Sequence, residues 1–267
     1  MKVALCLSGI ASSGSAGRNP RRTTPSSYLF GLDSIKKNLI ECNGGYDSVD
    51  VFIHSWNPEL YKDLKLDYSP ISMVCENPIY PNFIHPHGEI EEEERVQRLY
   101  SRWYSQMKSI ELKREHEEKN NFEYDWVIYS RFDIKYLTPI CLEKLNNKNF
   151  YVSAWEEDYN RGSSFGYADG YFISNSKIMN EYCSLYDSLG EYLSPDSKIL
   201  EKVSRKDFRS SHVVSRYHLN NIGYGDTERF LGCEMITWTI GGLKGDAWDI
   251  PWNPEIPYNL RKNKHDV

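Results

Sequence analysis

The chain alternates short apolar runs with segments of helical periodicity, and this alternation limits it to few folds. The apolar runs in the first half are Lys2 to Ser8, Val49 to Trp56, Ile71 to Cys75 and Tyr124 to Ser130. Strands separated by helices form parallel sheets that carry helices on both faces. The sequence therefore predicts an α/β fold with a mostly parallel central sheet.

Apolar residues between the strands recur at helical spacing. One predicted helix has Thr24 as its N-cap and Pro25 in its first turn, and a longer one spans Ile90 to about Asn120. The second half adds further strands and helices to one end of the sheet, and its last part, after Gly245, is irregular. Their predicted bounds are Phe150 to Trp155, Gly170 to Ser174 and Glu234 to Ile240 for strands, and Ser176 to Leu189 and His212 to Asn221 for helices. We predict one domain over residues 1–267.

Charge and composition exclude several classes of protein. The net charge of −6 argues against a general nucleic-acid binder. No apolar run approaches the ~20 residues that a membrane span needs, and the start of the chain turns polar too soon for a signal peptide. None of the six cysteines lies within four residues of another, which favours free thiols over a zinc site or a redox pair. We therefore expect a cytoplasmic protein without a membrane span.

The end of the first strand is the first candidate for a binding site, because ligands of open α/β folds bind beyond the carboxyl ends of strands. Ser8 and Gly9 close this strand, and the loop after them contains Arg18, Arg21 and Arg22. Small residues let backbone amides approach a phosphate, and arginine binds phosphate oxygens bidentately. The loop predicts a phosphate site, with an ordinary surface loop as the alternative.

The fourth strand ends in a charged triplet, Arg131-Phe132-Asp133. On an extended backbone Arg131 and Asp133 point to the same side. A carboxylate at Asp133 could bind Mg²⁺ or Mn²⁺ through oxygen, while Arg131 could neutralise a phosphate. The alternative is a structural ion pair between the two side chains.

Further polar residues complete the set of candidates. Asp169 precedes a predicted short strand, where its carboxylate could be a general base or only a turn residue. His54 ends the second strand, and Gln106 lies on the long helix. Either could face the same crevice, or be an ordinary structural residue. His212 and His218 could each supply a metal ligand, but a lone histidine is more often structural.

The order of these motifs carries a resemblance. A strand ending in Ser-Gly is followed by a basic loop and by a strand ending in His-Ser-Trp. Then come Tyr-Ser-Gln-Met-Lys-Ser, Tyr-Asp-Trp-Val-Ile-Tyr-Ser-Arg-Phe-Asp and Ala-Asp-Gly-Tyr-Phe-Ile-Ser-Asn. Over roughly Lys2 to Ile222 the chain resembles small GT-A-type glycosyltransferases of bacterial capsule and lipopolysaccharide synthesis and of large algal viruses.

The resemblance implies a Rossmann-like GT-A fold and a nucleotide-sugar donor, with UDP favoured. It implies transfer of a hexose or pentose to a hydroxyl of a glycan acceptor. Ser8 and Gly9 would border the nucleotide, Asp133 would bind Mn²⁺ or Mg²⁺, and Asp169 would be the base of an inverting enzyme. The family's Asp-x-Asp motif is incomplete here, because Arg131 replaces its first acid.

Two other classes remain open from the residues alone. A sulfotransferase would also use a strand-loop-helix phosphate site, although no convincing phosphate-loop lysine is present. A non-catalytic carbohydrate-binding module would suit the 20 Tyr and 7 Trp residues. Such a module has no need of an arginine and an aspartate at a strand end beside a basic loop.

Overall fold

The computed structural model describes residues 1–12, 27–78, 90–153, 166, 168–203, 209–231 and 235–237. Within these ranges most strands join one seven-stranded sheet, in the order β3-β2-β1-β4-β7-β6-β8, and β5 pairs with β9. The strands are β1 (Val3–Gly9), β2 (Val49–Ser55), β3 (Ser72–Cys75), β4 (Trp126–Arg131), β5 (Ile134–Tyr136), β6 (Phe150–Ser153), β7 (Ala168–Ser174), β8 (Glu228–Leu231) and β9 (Met235–Thr237).

The sheet is mostly parallel, as predicted. β3, β2, β1 and β4 are parallel neighbours, and β6 and β8 are also parallel. β7 is antiparallel to both β4 and β6, so the second half of the chain extends one end of the sheet with mixed pairing. The predicted α/β class with a mostly parallel sheet is confirmed, while a single domain over residues 1–267 stays a prediction.

The longest helix agrees with its prediction from the sequence. The helices of the described part are α1 (Leu29–Ile35), α2 (Tyr61–Tyr68), α3 (Ile90–Asn120), α4 (Ser176–Tyr182), α5 (Leu185–Tyr192) and α6 (Ser211–Asn221). The prediction of a single helix from Ser176 to Leu189 is wrong, because the helix is interrupted between α4 and α5. There the Ser184 hydroxyl donates to the Glu181 carbonyl at 2.7 Å, which competes with regular helical bonding.

Among the described α-helices and strands, α2, β5 and β8 were not predicted. The N-cap expected at Thr24 and Pro25 lies outside the described residues. The described helix begins at Leu29 and continues beyond Ile35 as a π-helical turn, Lys36–Ile40.

Alternating side chains of the strands form two cores, one on each face of the sheet. Along β1, Val3, Leu5 and Leu7 pack on the face that α1 and α2 cover. Ala4 and Cys6 pack on the opposite face, which α3 to α6 cover. The helices therefore cover both faces, and the next residue of β1 on the α3 side is Ser8.

A polar stripe runs along α3 where it packs against the sheet. Its members recur every three or four residues, so they share one helical face. Four of them are buried, namely Gln106, Ser109, Lys113 and Glu117, and Arg102, toward the start of the helix, is partly buried. The Lys113 ammonium lies 2.8 Å from Glu117 Oε2 and 2.8 Å from Asn180 Oδ1. This ion pair is compensated by hydrogen bonds, as a buried pair must be.

Two expectations from composition concern the cysteines and the membrane. The five described cysteines are free thiols, of which Cys6 and Cys183 are buried. Within the described ranges, no helix combines the length and the apolar character that crossing a membrane requires.

Removing one partner of the buried pair on α3 should cost much more than removing a partner of a partly exposed pair. We expect Lys113→Ala to lower the free energy of unfolding by about 3–5 kcal/mol, because Glu117 is left charged and buried. The control is Lys108→Ala, which breaks the Lys108–Glu111 pair of 2.8 Å on the same helix, whose side chains are 37% and 25% exposed. It should cost below about 1 kcal/mol. Equal losses in urea unfolding would contradict the compensating role of Lys113.

Candidate functional site

The carboxyl ends of β1, β2 and β4 meet at one edge of the sheet. Ser8 is in register with His54 of β2 and with Arg131 of β4. Residues in register on neighbouring parallel strands point to the same face, and this face is the one that α3 covers. The structure thus brings together three residues that the sequence predicted at this edge.

Arg131 is surrounded by carboxylates. Its Nε donates to Asp133 Oδ1 at 2.8 Å, and its Nη2 contacts Asp133 Oδ2. Its Nη1 donates to Asp169 Oδ1 at 3.2 Å. The triplet at the end of β4 therefore forms the ion pair that the sequence left open as an alternative, and it extends this pair to Asp169.

A second arginine, Arg102 of α3, joins the network. Its Nε lies 3.1 Å from Asp169 Oδ2, and its Nη2 donates to the Asp169 backbone carbonyl. Asp169 thereby links two guanidinium groups, one from α3 and one from β4. Sequence reasoning missed Arg102, although it precedes Gln106 by four residues and so shares its helical face.

An irregularity in β7 places Asp169 where it can reach α3. Val152 of β6 pairs with Phe172, but the next residue, Ser153, pairs with Ala168. The intervening residues of β7 form a bulge, and bulges re-aim side chains beside functional sites. Strict alternation would put Asp169 on the same face as Tyr171, away from α3. The prediction that Asp169 precedes its strand is therefore wrong, because it lies inside β7.

Charge controls the protonation of Asp169. Burial alone would raise its pKa, but Arg102, His212 and Arg131 together hold that pKa well below its usual range. Both carboxylate oxygens also face arginines, which favours the charged form of Asp169 and makes it a weak proton acceptor at neutral pH. Its role as a general base stays a prediction, and its role as the link between two arginines is what the geometry shows.

Gly31 of α1 supports the turn that carries Asp133. A Cβ at Gly31 would lie 2.9 Å from the Phe132 carbonyl oxygen and closer still to that of Ile134. Only glycine allows this approach, so α1 packs directly on the backbone on both sides of Asp133. The ring of Phe132 is buried in the core on the α1 side.

His54 is a buried and fully bonded residue. Its Nδ1 lies 2.7 Å from the Ser105 hydroxyl of α3, and its Nε2 lies 3.0 Å from Glu76 Oε1. Burial lowers its pKa, although Glu76 opposes this effect. These contacts connect β2 to α3, which is the structural role that the sequence left open for His54.

Gln106 differs from His54, because it is buried without partners. It is 1% exposed, and within the described part of the chain neither its amide oxygen nor its amide nitrogen has a hydrogen-bond partner. Buried polar groups are nearly always bonded, so an orphaned amide one turn from Arg102 is unusual. Gln106 remains a candidate for binding a substrate.

The loop after β1 is described only at its ends. The Asn57 Oδ1 atom accepts hydrogen bonds from the Ala11 and Ser12 amides, at 2.8 and 3.0 Å. These two amides are therefore occupied by the protein itself. Arg18, Arg21 and Arg22 lie outside the described residues, so their predicted phosphate contacts stay predictions.

Gly9 and Ser8 border the edge as predicted. Gly9 has φ of +112°, in the region that favours glycine, and turns the chain out of β1. Ser8 donates its hydroxyl hydrogen to the Tyr129 hydroxyl at 3.0 Å. Both residues thus lie beside the Arg131 network, on β1.

The two histidines of α6 have different surroundings. His218 is buried, its Nδ1 lies 2.9 Å from the Tyr192 hydroxyl, and burial lowers its pKa to about 4. His212 lies in the first turn of α6 and packs against Gly166, and it helps to lower the pKa of Asp169. No group of three His, Cys, Asp or Glu residues in the described part could by itself hold a metal ion.

Compared with known proteins, the chain matches no family model and no curated protein sequence. The glycosyltransferase resemblance therefore rests on the order of the motifs.

The Asp169 contacts should contribute stability that depends on pH. A carboxylate with a lowered pKa stabilises the fold above its unfolded pKa of about 4, and this contribution is lost as the pH falls below that value. We expect Asp169→Asn to cost about 3 kcal/mol at neutral pH, with the difference from the wild type shrinking in acid. Urea unfolding of both proteins, from neutral pH to below pH ~4, measures this difference in the free energy of unfolding. The exposed Asp187→Asn variant is the control, and a cost independent of pH would contradict the assignment.

Proposed function

We propose that the protein is a glycosyltransferase that moves a sugar from a nucleotide-diphosphate sugar to a hydroxyl of a glycan acceptor. The observation that supports this most is the pair of guanidinium groups, Arg102 and Arg131, at the carboxyl ends of parallel strands. Ligands of open α/β folds bind at this position, and arginine recognises phosphate bidentately. A UDP-sugar is the favoured donor, with a hexose or a pentose as the transferred group.

The two arginines keep donors for a ligand. Arg102 Nη1 has no hydrogen-bond partner among the described residues, and each Nη of Arg131 carries a second hydrogen. The Arg131 side chain is 21% exposed and that of Arg102 14%, so solvent reaches both. A diphosphate would meet charged donors there that are already held in position, which stabilises a departing anion.

Asp133 is the residue that would hold Mn²⁺ or Mg²⁺. A single carboxylate fits Mg²⁺, because this ion commonly binds one or two carboxylates and completes its shell with water and substrate phosphates. When bound, such an ion neutralises charge on the diphosphate. The contact with Arg131 occupies both oxygens of Asp133, so this carboxylate has to leave Arg131 before it can bind a cation.

Asp169 is the proposed base that takes the proton of the acceptor hydroxyl, with inversion at the anomeric carbon. Its carboxylate is charged and lies beside both arginines, near the place proposed for the diphosphate. Its lowered pKa makes it a weak base, so the assignment depends on the acceptor approaching while an arginine turns to the phosphate.

The free thiols among the described residues agree with the cytoplasmic location that we propose.

A thermal-shift screen with UDP, GDP, CMP and adenosine 3′,5′-bisphosphate, with and without Mn²⁺, tests the function. We expect a uridine or guanosine diphosphate to raise the Tm. Arg102→Met should weaken its binding at least about tenfold, because a charge-assisted contact is lost. Arg114→Met, an exposed residue of the same helix, should leave binding unchanged. A response only to the bisphosphate would indicate a sulfotransferase, and no response to any nucleotide a sugar-binding module.

Kinetics of Asp169→Asn separate a base from a link between arginines. If Asp169 is the base, kcat falls by about 10²-fold or more while the nucleotide still binds. If it only holds Arg102 and Arg131, the affinity for nucleotide falls as well. A kcat near that of the wild type would show that Asp169 is not the base. If the activity survives EDTA, the proposed binding of a cation by Asp133 is wrong, whereas the transferase proposal still stands.

A further inference from the structure

Each of the three guanidinium nitrogens of Arg131 contacts a carboxylate oxygen. Nε and Nη2 lie against the two oxygens of Asp133, and Nη1 lies against Asp169. Two parallel contacts from one guanidinium are also how arginine binds a phosphate group. Asp133 therefore occupies the edge of Arg131 best suited to an anionic ligand.

The two carboxylates around Arg131 differ in how firmly they are held. Asp169 belongs to β7, is bound from α3 by Arg102, and its side chain is 10% exposed. Asp133 lies in the turn between β4 and β5 and is buried to a similar degree, at 13% exposed, but among the described residues its carboxylate forms hydrogen bonds and an ion pair with Arg131 alone. A ligand that displaces Asp133 breaks contacts to one residue, whereas displacing Asp169 would break the link between two elements.

We propose that Asp133 is an internal competitor of the substrate, whose carboxylate takes the place on Arg131 that a phosphate of the donor takes when it binds. This proposal rests on the proposed function and adds a control to the same site. Asp169 stays in place during the exchange and keeps Arg131 beside Arg102.

The exchange has a consequence for selectivity. Asp169 stays paired with Arg131, and replacing Asp133 by another anion also keeps the second edge of the guanidinium paired. A neutral ligand, such as a nucleoside or a free sugar, offers nothing that can displace Asp133. A diphosphate offers several charged oxygens. The pair therefore selects ligands by their charge, and a cation that binds the released Asp133 would favour the exchange further.

Isothermal titration with UDP, pyrophosphate and uridine, in EDTA, tests the proposal without a metal. We expect Asp133→Asn to bind UDP and pyrophosphate about tenfold more tightly than the wild type, a gain of about 1.4 kcal/mol. Uridine should show no comparable gain. Asp196→Asn removes the same charge from an exposed position between α5 and α6, and should bind as the wild type does.

Each outcome decides something different. If the wild type binds UDP and Asp133→Asn binds it no more tightly, Asp133 is not a competitor, while the proposed function stands. An equal gain in Asp196→Asn would show a general charge effect and would also overturn the proposal. If no variant binds UDP or pyrophosphate, the proposed function fails and this inference with it. Asp133→Ser, which also removes the charge, replaces Asp133→Asn if circular dichroism shows that the latter is unfolded.

Discussion

The need to pair two nearly buried guanidinium groups is the constraint on which this edge of the molecule depends. Arg102 and Arg131 carry the same charge and come from different layers of the fold. Asp169 lies between them and contacts both, at 3.1 and 3.2 Å. The first half of α3 is thereby fastened over the carboxyl ends of the parallel strands, where the candidate site lies. The carboxylate that links the two arginines is thus the same one that we propose as the base.

The sequence predicted the elements whose signals are local. The apolar face of α3 and the apolar runs of β1, β2 and β4 identify these elements without knowledge of the rest of the fold. β5 and β8, with three and four residues, were not predicted, and they form through pairing with β9 and β6. Their existence depends on contacts between distant parts of the chain.

The site residues were likewise predictable only where their position follows from the order of the elements along the chain. Parallel strands end at one edge, so the order of β1, β2 and β4 was enough to place Ser8, His54 and Arg131 together. Arg102 and the bulge at Asp169 could not be predicted in this way. Which residue of α3 faces the edge depends on how the helix packs, and the bulge arises from a register that only the folded sheet defines.

The close packing of Gly31 has a kinetic consequence for the edge of the sheet. Because α1 touches the carbonyl groups on both sides of Asp133, the backbone of that turn has little freedom to move. Any release of Arg131 must then occur by rotation of the Asp133 side chain about its own bonds. Rotation of one side chain about its own bonds needs no rearrangement of the loop, and loop motions are the slower class. Exchange of one anion for another would therefore not have to wait for the backbone around Asp133 to move.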